Sequence, residues 1–349
     1  MNKHKLVIVI GTRPQIIKSA NFIKKIYYSN LFNIKIINSN QHYDDTMFNI
    51  FVNEYDIKSK IKTIKINNKK NFFIEFSKKL NDEISTFKPK LLINFGDTTT
   101  TLISALIAYK NNIFLAHIES GLRSYNYNQP EEKNRKITDY LSHLRFCPTK
   151  TSLKNLKSEG LIKNSFFYGD LMFENFLKLK SHQQLKNSNI KFDYYLLTIH
   201  RAENLNKVKL KIYIDLINKN NKLNLNVVLP IHHSLIKFQS FIKKYLRNVE
   251  IIKPVNHINS LNLIKFAKVI YTDSGGLQKE CHFLNKKCVI LREETEWVES
   301  IFTGNSRLYF NKYFKKNKKS KNIYGDKNVS LKIIKEINNF LNIKSLRTK

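Results

Sequence analysis

Unbroken apolar runs alternate with stretches of helical periodicity along the first half of the chain. The runs with the character of strands buried on both faces span residues 6–12, 34–39, 91–97 and 113–119. Each precedes a predicted helix, and these helices begin near Pro14, Asp45, Thr98 and Pro130. Apolar strands that alternate with helices are typical of a parallel sheet covered by helices on both faces.

The same alternation recurs in the second half of the chain. Strand-like runs there span residues 194–200, 225–232, 249–253, 268–276 and 286–293, and each is followed by helical sequence. The polar stretch 178–193 separates the two series and is the predicted linker. Residues 329–341 have the apolar spacing of an amphipathic helix. The pattern therefore predicts an α/β protein of two Rossmann-like, doubly wound domains that face each other across a cleft.

The length of the chain agrees with two domains, because 349 residues exceed one ordinary core. We predict an N-terminal domain over residues 1–180 and a C-terminal domain over residues 181–328. A final helix within residues 329–349 is expected to pack back on the N-terminal domain. In such an arrangement a ligand binds in the cleft, at the carboxyl ends of both sets of strands.

The remaining bulk features indicate a cytoplasmic setting. No apolar run is long enough to span a membrane, and the N-terminal run ends in Gly-Thr-Arg-Pro rather than at a cleavage site. That run therefore indicates a first strand and not a signal peptide. The cysteines Cys147, Cys281 and Cys288 are odd in number and lack metal-ligand spacing. We expect a reduced, cytoplasmic protein with no membrane partner and no metal site.

The net charge is +34, from 61 Lys and Arg against 27 Asp and Glu. A charge this large is found in nucleic-acid-binding proteins. Here, however, the lysines are spread over the whole chain together with many Asn and Ile residues, which indicates a general compositional bias. Residues 314–322 form the one dense basic run and are predicted to be an exposed loop. We therefore expect no nucleic-acid partner.

Residues suited to ligand binding directly follow several predicted strands, at the carboxyl ends of those strands. They are Arg13, Asp97, Glu119, His200, His232, Ser274, Gly275 and Gly276. Several such residues at one edge indicate a ligand site. Taken singly, each has a structural alternative, since Asp97 suits a helix N-cap and a lone His200 is most often structural.

Two of these turns have the properties of anion-binding sites. After the first strand, Arg13 and Lys18 are placed to face an anion near a helix start, although solvated bases are the plain alternative. Ser274, Gly275 and Gly276 offer unhindered backbone N–H groups at another helix start, which suits a phosphate. Glu280, one turn further along, is placed to accept hydrogen bonds from ribose hydroxyls. The six-residue glycine fingerprint of NAD-binding proteins is absent, so NAD is not indicated.

Carboxylates, the scarce charge in this chain, gather in the stretch HIESGLRSYNYNQPEEKNR. His117 precedes Glu119 by two residues, so both side chains leave the same face of a strand, and one of them is placed to orient the other. Glu131 stands at a predicted helix start with Arg135 one turn on, on the same helix face. Glu132 is expected to point elsewhere and to favour the helix N-terminus.

Together these segments resemble the non-hydrolysing UDP-N-acetylglucosamine 2-epimerase family over nearly the whole chain. The blocks that carry the resemblance are, in order, GTRPQIIKSA, QHYDDTMF, GDTTTT, HIESGLRS, QPEEKNRKITDYLSHLRFCPT, TIHRAEN, DSGGLQKE and LREETEW. The resemblance implies two Rossmann-like domains in the GT-B arrangement, a cytoplasmic homodimer, a UDP-sugar substrate, and no metal, NAD or other cofactor.

The resemblance also implies a mechanism. UDP leaves C1 as C2 loses its proton, and UDP adds back to the resulting 2-acetamidoglucal after reprotonation on the other face. The family's catalytic positions match Asp97, Glu119, Glu131 and His200. Its substrate- and UDP-contacting positions match Arg13, Lys18, Arg135, Ser274, Gly275, Gly276 and, at the ribose, Glu280. Gln41 and His42 match a motif that helps to bind a second, regulatory UDP-GlcNAc in bacterial members.

Departures from the family pattern leave the exact sugar open. Gln15 stands where the family usually has Glu, and Trp297 stands where UDP-GlcNAc epimerases have a substrate-contacting Arg. The segment around Trp297 is more similar to the branch that acts on UDP-2,3-diacetamido-2,3-dideoxyglucuronate. The prediction is thus a UDP-GlcNAc 2-epimerase, with the diacetamido-uronate as the alternative substrate. A GT-B glycosyltransferase and a hydrolysing epimerase are the rival reactions.

Overall fold

The computed structural model describes residues 3–41, 61–181, 185, 190, 192–316 and 323–346, without the side chains of Arg13, Lys69 and Leu346. The chain divides into two compact units. Unit 1 comprises Met1–Lys178 and Asn322–Lys349, and unit 2 comprises Leu179–Lys321. The C-terminal helix therefore belongs to unit 1. The predicted helix near Asp45 and most of the basic run 314–322 lie outside the described residues.

Unit 1 contains a seven-stranded parallel sheet. Its strands are β1 (His4–Ile10), β2 (Phe32–Asn38), β3 (Ile61–Thr63), β4 (Leu91–Phe95), β5 (Phe114–Ile118), β6 (Leu144–Cys147) and β7 (Ser165–Phe167). They lie in the order β3-β2-β1-β4-β5-β6-β7, and every pair is parallel. Its helices are α1 (Arg13–Tyr28), α2 (Phe72–Phe87), α3 (Thr99–Lys110), α4 (Pro130–Leu141), α5 (Lys150–Ser158), α6 (Leu171–Ser181) and α12 (Val329–Leu346).

Unit 2 repeats this plan with six strands. They are β8 (Tyr194–Thr198), β9 (Asn226–Pro230), β10 (Val249–Ile252), β11 (Val269–Thr272), β12 (Cys288–Ile290) and β13 (Ser306–Leu308), in the parallel order β10-β9-β8-β11-β12-β13. Its helices are α7 (Lys207–Asn220), α8 (Gln239–Tyr245), α9 (His257–Phe266), α10 (Gly275–Phe283) and α11 (Val298–Phe302). The predicted α/β class and its doubly wound strand order are confirmed. In each unit the order reverses beside the first strand, between β1 and β4 and between β8 and β11, where such sheets bind ligands.

The sheets form where the sequence is continuously apolar. All five residues of β4 are buried, as are the last five of β1, because helices cover both faces of these central strands. Helix α2 buries Phe76, Leu80 and Ile84, which are four residues apart and share one face. Sequence patterning missed α2, α5 and α6 and the short strands β3, β6, β7 and β13. Three- and four-residue strands offer too few positions for a period to be recognised.

The returning C-terminal segment is fastened to unit 1 by a buried carboxylate. Glu174 in α6 accepts a hydrogen bond from the backbone N–H of Ser330 at 3.2 Å, and its other oxygen pairs with the Lys25 ammonium at 2.7 Å. The Tyr168 hydroxyl donates to Glu336 in α12 at 3.0 Å. Burial and the Glu336 carboxylate together raise the pKa of Tyr168 to about 12. Because α12 packs on α1, the helix covers one side of the first sheet.

Gly169 is expected to be sensitive to substitution, because its backbone bridges that of Gly325. An added Cβ would lie 2.5 Å from the Tyr324 carbonyl oxygen and 2.8 Å from the Gly325 Cα, at a φ of +111°. Gly160 is the matched control, since it also has a positive φ but no atom of the described residues lies within 4 Å of an added Cβ. Gly160→Ala should cost about 1–2 kcal/mol for its backbone alone, and Gly169→Ala should cost more. Equal shifts of the urea midpoint would refute the close-contact explanation.

No helix among the described residues has both the length and the apolar character needed to cross a bilayer.

Candidate functional site

The turn after β1 is tied to the end of β4 through the buried amide of Gln15. Its oxygen accepts the backbone N–H groups of Gly11 at 2.8 Å and Thr12 at 3.2 Å. Its nitrogen donates to the Phe95 carbonyl at 2.7 Å and to the Thr101 hydroxyl at 3.0 Å. An amide is required here because the site needs an acceptor on one side and a donor on the other. This explains a Gln in place of the Glu usual in the resembling family.

Gln15→Glu is accordingly expected to destabilise the protein by about 1–3 kcal/mol, because the Phe95 carbonyl would lose its donor. Facing that carbonyl in a buried site, the introduced carboxyl should have a raised pKa. A raised pKa means that stability present at low pH is lost as the pH rises through it. Thermal unfolding at acidic and neutral pH checks this. A melting temperature equal to that of wild type at neutral pH would contradict it.

Glu119 and Lys18 form an ion pair in which both side chains are largely buried. Glu119 follows β5 directly, and its φ of +76° is uncommon for a residue with a side chain. Such backbone conformations collect at functional sites, where the surrounding structure holds them. The pair faces a small pocket lined by Lys18, Ile118, Glu119, Pro148, Gly169, Asp170 and Leu171. The arrangement holds a carboxylate and an ammonium side by side at the edge of the first sheet.

Asp97, which follows β4, is paired with the buried guanidinium of Arg135. Arg135 Nε donates to Asp97 Oδ2 at 2.9 Å, and the Asn134 amide donates to the Asp97 backbone carbonyl at 2.9 Å. The side chain of Asp97 is 28% exposed, so one face remains open. The N-cap of α3 is Thr98, whose side chain accepts the Thr101 N–H. The alternative interpretation of Asp97 as a helix N-cap is therefore wrong.

The two adjacent acids of α4, Glu131 and Glu132, differ in their contacts, and Glu132 does not have the role expected from the sequence. Glu132 does not point away, because it is fully buried and pairs with Arg135. It also accepts the backbone N–H groups of Ser124 at 2.8 Å and Tyr125 at 3.2 Å, which folds the preceding loop onto the helix. Glu131 is half-buried and has no hydrogen bond or ion pair with another described residue. Glu132 thus has a structural role, and Glu131 keeps an uncommitted carboxylate.

A residue that sequence reasoning missed, Asp139 of α4, lies at the centre of a buried charged cluster. Its carboxylate pairs with Arg123 at 2.8 Å and His117 at 2.7 Å and accepts the Gly121 N–H at 3.1 Å. Burial alone would raise the pKa of Asp139, but His117 and Arg123 outweigh it and hold the pKa well below its usual range. One feature of the sequence could have identified Asp139: it lies four residues after Arg135, so the two side chains share one helix face.

In unit 2, His200 follows β8 and is oriented by the buried carboxylate of Asp273. His200 Nδ1 lies 3.1 Å from Asp273 Oδ1, and the histidine side chain is 40% exposed. Asp273 also accepts the Arg201 N–H at 2.9 Å and the Asn204 amide at 3.0 Å. Burial would raise the pKa of Asp273, but His200 and these donors lower it to about 2. An exposed imidazole fixed by a buried carboxylate suits proton transfer or phosphate contact.

Helix α10 opens with Ser274 as its N-cap, followed by Gly275 and Gly276. A Cβ on Gly275 would lie 2.7 Å from Glu296 Oε1, so a larger residue there would displace the end of that side chain. Glu280 is buried, and His257 Nε2 lies 2.8 Å from its Oε1. Its Oε2 has no hydrogen-bond partner among the described residues. The helix start and this open carboxylate oxygen provide acceptors and donors for a nucleotide.

Trp297 is buried and covers a buried cation from α10. The Lys279 ammonium lies 4.2 Å from the centroid of the Trp297 ring, within the range of a cation–π interaction.

Gln41, a residue of the predicted regulatory site, lies in unit 1, where its amide oxygen accepts the Thr100 N–H at 3.0 Å. His42 lies outside the described residues. The side chain of Arg13 is not described, but the residue begins α1.

Within the described part of the chain, no group of three or more His, Cys, Asp or Glu side chains is placed to hold a metal ion.

Comparisons with known proteins agree with these motifs. A family model described as UDP-N-acetylglucosamine 2-epimerase matches residues 24–338. A UDP-N-acetylglucosamine 2-epimerase homolog from Methanococcus maripaludis is 38% identical over 96% of this chain and 99% of its own. The UDP-2,3-diacetamido-2,3-dideoxy-D-glucuronate 2-epimerase of Pseudomonas aeruginosa is 33% identical over 86% of each chain. The crystal structure of Methanocaldococcus jannaschii UDP-GlcNAc 2-epimerase with UDP-GlcNAc and UDP superposes with a TM-score of 0.85 and 32% identity, over 95% of this chain and 99% of that one.

Proposed function

The chain belongs to the UDP-N-acetylglucosamine 2-epimerase family, and we propose that it interconverts UDP-GlcNAc and UDP-ManNAc without hydrolysis. The observation that carries this proposal is the pair of carboxylates at the ends of β4 and β5. Asp97 and Glu119 follow neighbouring strands, and each is held beside a cation, Arg135 or Lys18. Carboxylates that move protons beside cations that stabilise a leaving diphosphate are the groups the reaction requires.

The proposed reaction is an elimination followed by an addition. The hydrogen at C2 of an N-acetylhexosamine is not appreciably acidic, so its loss must accompany departure of the leaving group. A base takes the C2 proton, the C2–H electron pair forms the C1–C2 double bond, and the C1–O bond breaks to release UDP. Addition of UDP at C1 and of a proton at the other face of C2 gives the epimer. Asp97, Glu119, Glu131 and His200 are the proposed acids and bases.

The nucleotide is proposed to bind at the start of α10. Backbone N–H groups at Ser274, Gly275 and Gly276 suit the diphosphate, because the helix N-terminus carries a partial positive charge. The buried Glu280 would accept hydrogen bonds from the ribose through Oε2. Arg13, Lys18 and Arg135 supply the further positive charge that a UDP-sugar needs. The ribose assignment is supported by Glu280 Oε2, a buried oxygen with no hydrogen-bond partner among the described residues.

A second substrate, UDP-2,3-diacetamido-2,3-dideoxyglucuronate, is favoured by one specific feature. Trp297 stands where the family's UDP-GlcNAc epimerases have an Arg, and it packs over Lys279. The cation that contacts Trp297 therefore comes from α10. A relative of that branch is among the proteins similar to this chain.

We also propose a cytoplasmic homodimer that associates through unit 1. Exposed apolar side chains lie on α3 and α4, which pack together: Leu106, Tyr109, Ile137 and Tyr140. Exposed apolar patches of this kind mark protein interfaces. Sedimentation of wild type and of the Tyr109→Glu, Tyr140→Glu double variant tests this, and a monomeric wild type would exclude it. A regulatory nucleotide-sugar site at Gln41 and His42 stays a prediction.

The activity is tested by incubating the protein in D2O with each of the two donors and following the products by NMR. Epimerisation with one solvent deuterium at C2 is the expected result. An epimer without deuterium would refute the elimination mechanism. Free ManNAc and UDP would indicate the hydrolysing reaction, and sugar transfer to an acceptor without an epimer would indicate a glycosyltransferase. Activity with only the uronate donor would assign the chain to that branch.

A further inference from the structure

His117 in β5 is fully buried, and both of its ring nitrogens face hydrogen-bond acceptors. Nε2 lies 2.7 Å from the carbonyl oxygen of Gly96, and Nδ1 lies 2.7 Å from Asp139 Oδ1. A peptide carbonyl only accepts, so Nε2 must carry a proton. The second oxygen of the Asp139 carboxylate accepts the Gly121 N–H at 3.1 Å and pairs with Arg123 at 2.8 Å, as expected of an ionised group.

Because an ionised carboxylate also only accepts, Nδ1 must carry a proton as well. We infer that both ring nitrogens of His117 carry a proton in the folded protein, and that this imidazolium acts as a positioning residue, holding the turn at residues 96–97 beside Glu119. The inference about positioning rests on the proposed function, in which Asp97 and Glu119 handle protons. The inference about charge rests on the hydrogen bonds alone.

The Asp139 carboxylate supplies the negative charge that compensates an imidazolium. Arg145, opposite His117 on β6, donates its Nε to the backbone carbonyl of Asp139 and not to the carboxylate. Arg123 divides its charge between Asp139 and Glu159, which accepts the Arg123 Nε at 2.8 Å. Asp139 thus faces His117 on one side and Arg123 on the other. The Asp139 Oδ1 that faces His117 also accepts a hydrogen bond from the Ser120 hydroxyl. A neutral ring would leave either the Gly96 carbonyl without its donor or the Nδ1 lone pair against this carboxylate oxygen, at a cost typical of buried groups.

Hydrogen bonds link His117 to the turn that carries Asp97, which lies beside Glu119. Its Nε2–H fixes the Gly96 carbonyl, while the Gly96 N–H donates to the Ile118 carbonyl at 2.9 Å. Gly96 has a φ of +66°, and a Cβ there would lie 3.2 Å from Glu119 Oε2. The peptide held by His117 leads directly into Asp97. One buried cation therefore sets the distance between the turns that carry Asp97 and Glu119.

Proton-detected NMR of protein labelled with 15N-histidine tests the charge directly. The expected signature at neutral pH is one ring with both N–H protons and with the nitrogen shifts of an imidazolium. His117→Gln assigns that signal by its loss. Asp139→Asn is the second variant, because it removes the facing carboxylate and should let the ring lose a proton. A His117 ring with one unprotonated nitrogen at neutral pH would overturn the inference.

Kinetics test the positioning role. His117→Gln should lower kcat by about 100-fold, because a small displacement of reacting groups has effects of this size. KM and UDP affinity should be unchanged, since UDP is proposed at α10 of unit 2. His143→Gln is the control, an exposed histidine next to the same sheet whose Nδ1 accepts the Leu115 N–H. Equal loss of kcat in both variants, or loss of UDP affinity with kcat, would refute positioning. A wild type inactive with both donors would refute the proposed function, while the NMR result would still decide the charge of His117.

Discussion

Replacing Glu119 with glutamine is expected to lower kcat for C2 epimerisation by about 10²–10⁴-fold, the usual contribution of a proton-transferring side chain. Glutamine keeps the size of the side chain but neither accepts nor returns a proton. It also leaves Lys18 without its carboxylate partner at the edge of the first sheet. Affinity for UDP should not fall, because Glu119 is not a proposed nucleotide contact and Lys18, which is one, keeps its charge. Deuterium exchange at C2, measured by NMR, should fall together with kcat.

Glu83→Gln is the matched control for this experiment. Glu83 in α2 also pairs with lysine, since its oxygens lie 2.7 Å from Lys35 Nζ and 2.5 Å from Lys62 Nζ. It is not among the proposed site residues, so kcat should match wild type. A folded Glu119→Gln protein with unchanged kcat, or an equal fall in both variants, would remove Glu119 from the proposed mechanism.

Asp139→Asn is expected to give the largest loss of stability, about 3–5 kcal/mol, the usual cost of breaking a buried ion pair. The substitution preserves the shape of the side chain but removes the charge that compensates Arg123 and His117. Both partners are buried, so water cannot replace the lost carboxylate. Urea unfolding monitored by circular dichroism and tyrosine fluorescence measures the effect.

Asp215→Asn is the matched control for stability. Asp215 pairs with Lys211 one helical turn away, and its side chain is 56% exposed. Exposed pairs contribute little, so this variant should lie within about 1 kcal/mol of wild type. Similar losses in the two variants would show that burial of the Asp139 cluster is not the cause.

The Asp139 contribution should also have a defined pH dependence. Folding lowers the pKa of this carboxyl, so the unfolded chain binds its proton more readily. The stabilisation is complete above the ordinary aspartate value of about 4 and is lost as the pH falls toward the lowered pKa. The difference in unfolding free energy between wild type and Asp139→Asn should therefore shrink as the pH falls below about 4. A difference that grows below pH 4 would contradict the assignment.

Local patterns in the sequence were sufficient for the two sheets and for the location of the candidate site. The central strands β1, β4, β5 and β8 are continuous apolar runs, because helices cover both of their faces. The residues that follow these strands lie at the carboxyl edge of a parallel sheet, regardless of the conformation of the loops. Asp97, Glu119 and His200 were predicted at strand ends on that ground, and the strands end there.

The partner of each charged side chain was decided by tertiary structure. Glu131 and Glu132 are adjacent and chemically identical, yet only Glu132 is buried against Arg135 and the loop that precedes α4. Asp139 meets His117 and Arg123 only when β5, its following loop and α4 pack together. Trp297 meets Lys279 only when the loop after β12 folds over α10. Periodicity reports which face of an element is buried, whereas an ion pair depends on distances between segments far apart in the chain. Sequence patterning predicted the long central strands, the helices that follow them and the sheet edge that carries the candidate site residues, but not the three- and four-residue strands β3, β6, β7 and β13. The fold alone decided which acids are structural and which remain available to a substrate, because burial and charge pairing depend on long-range packing.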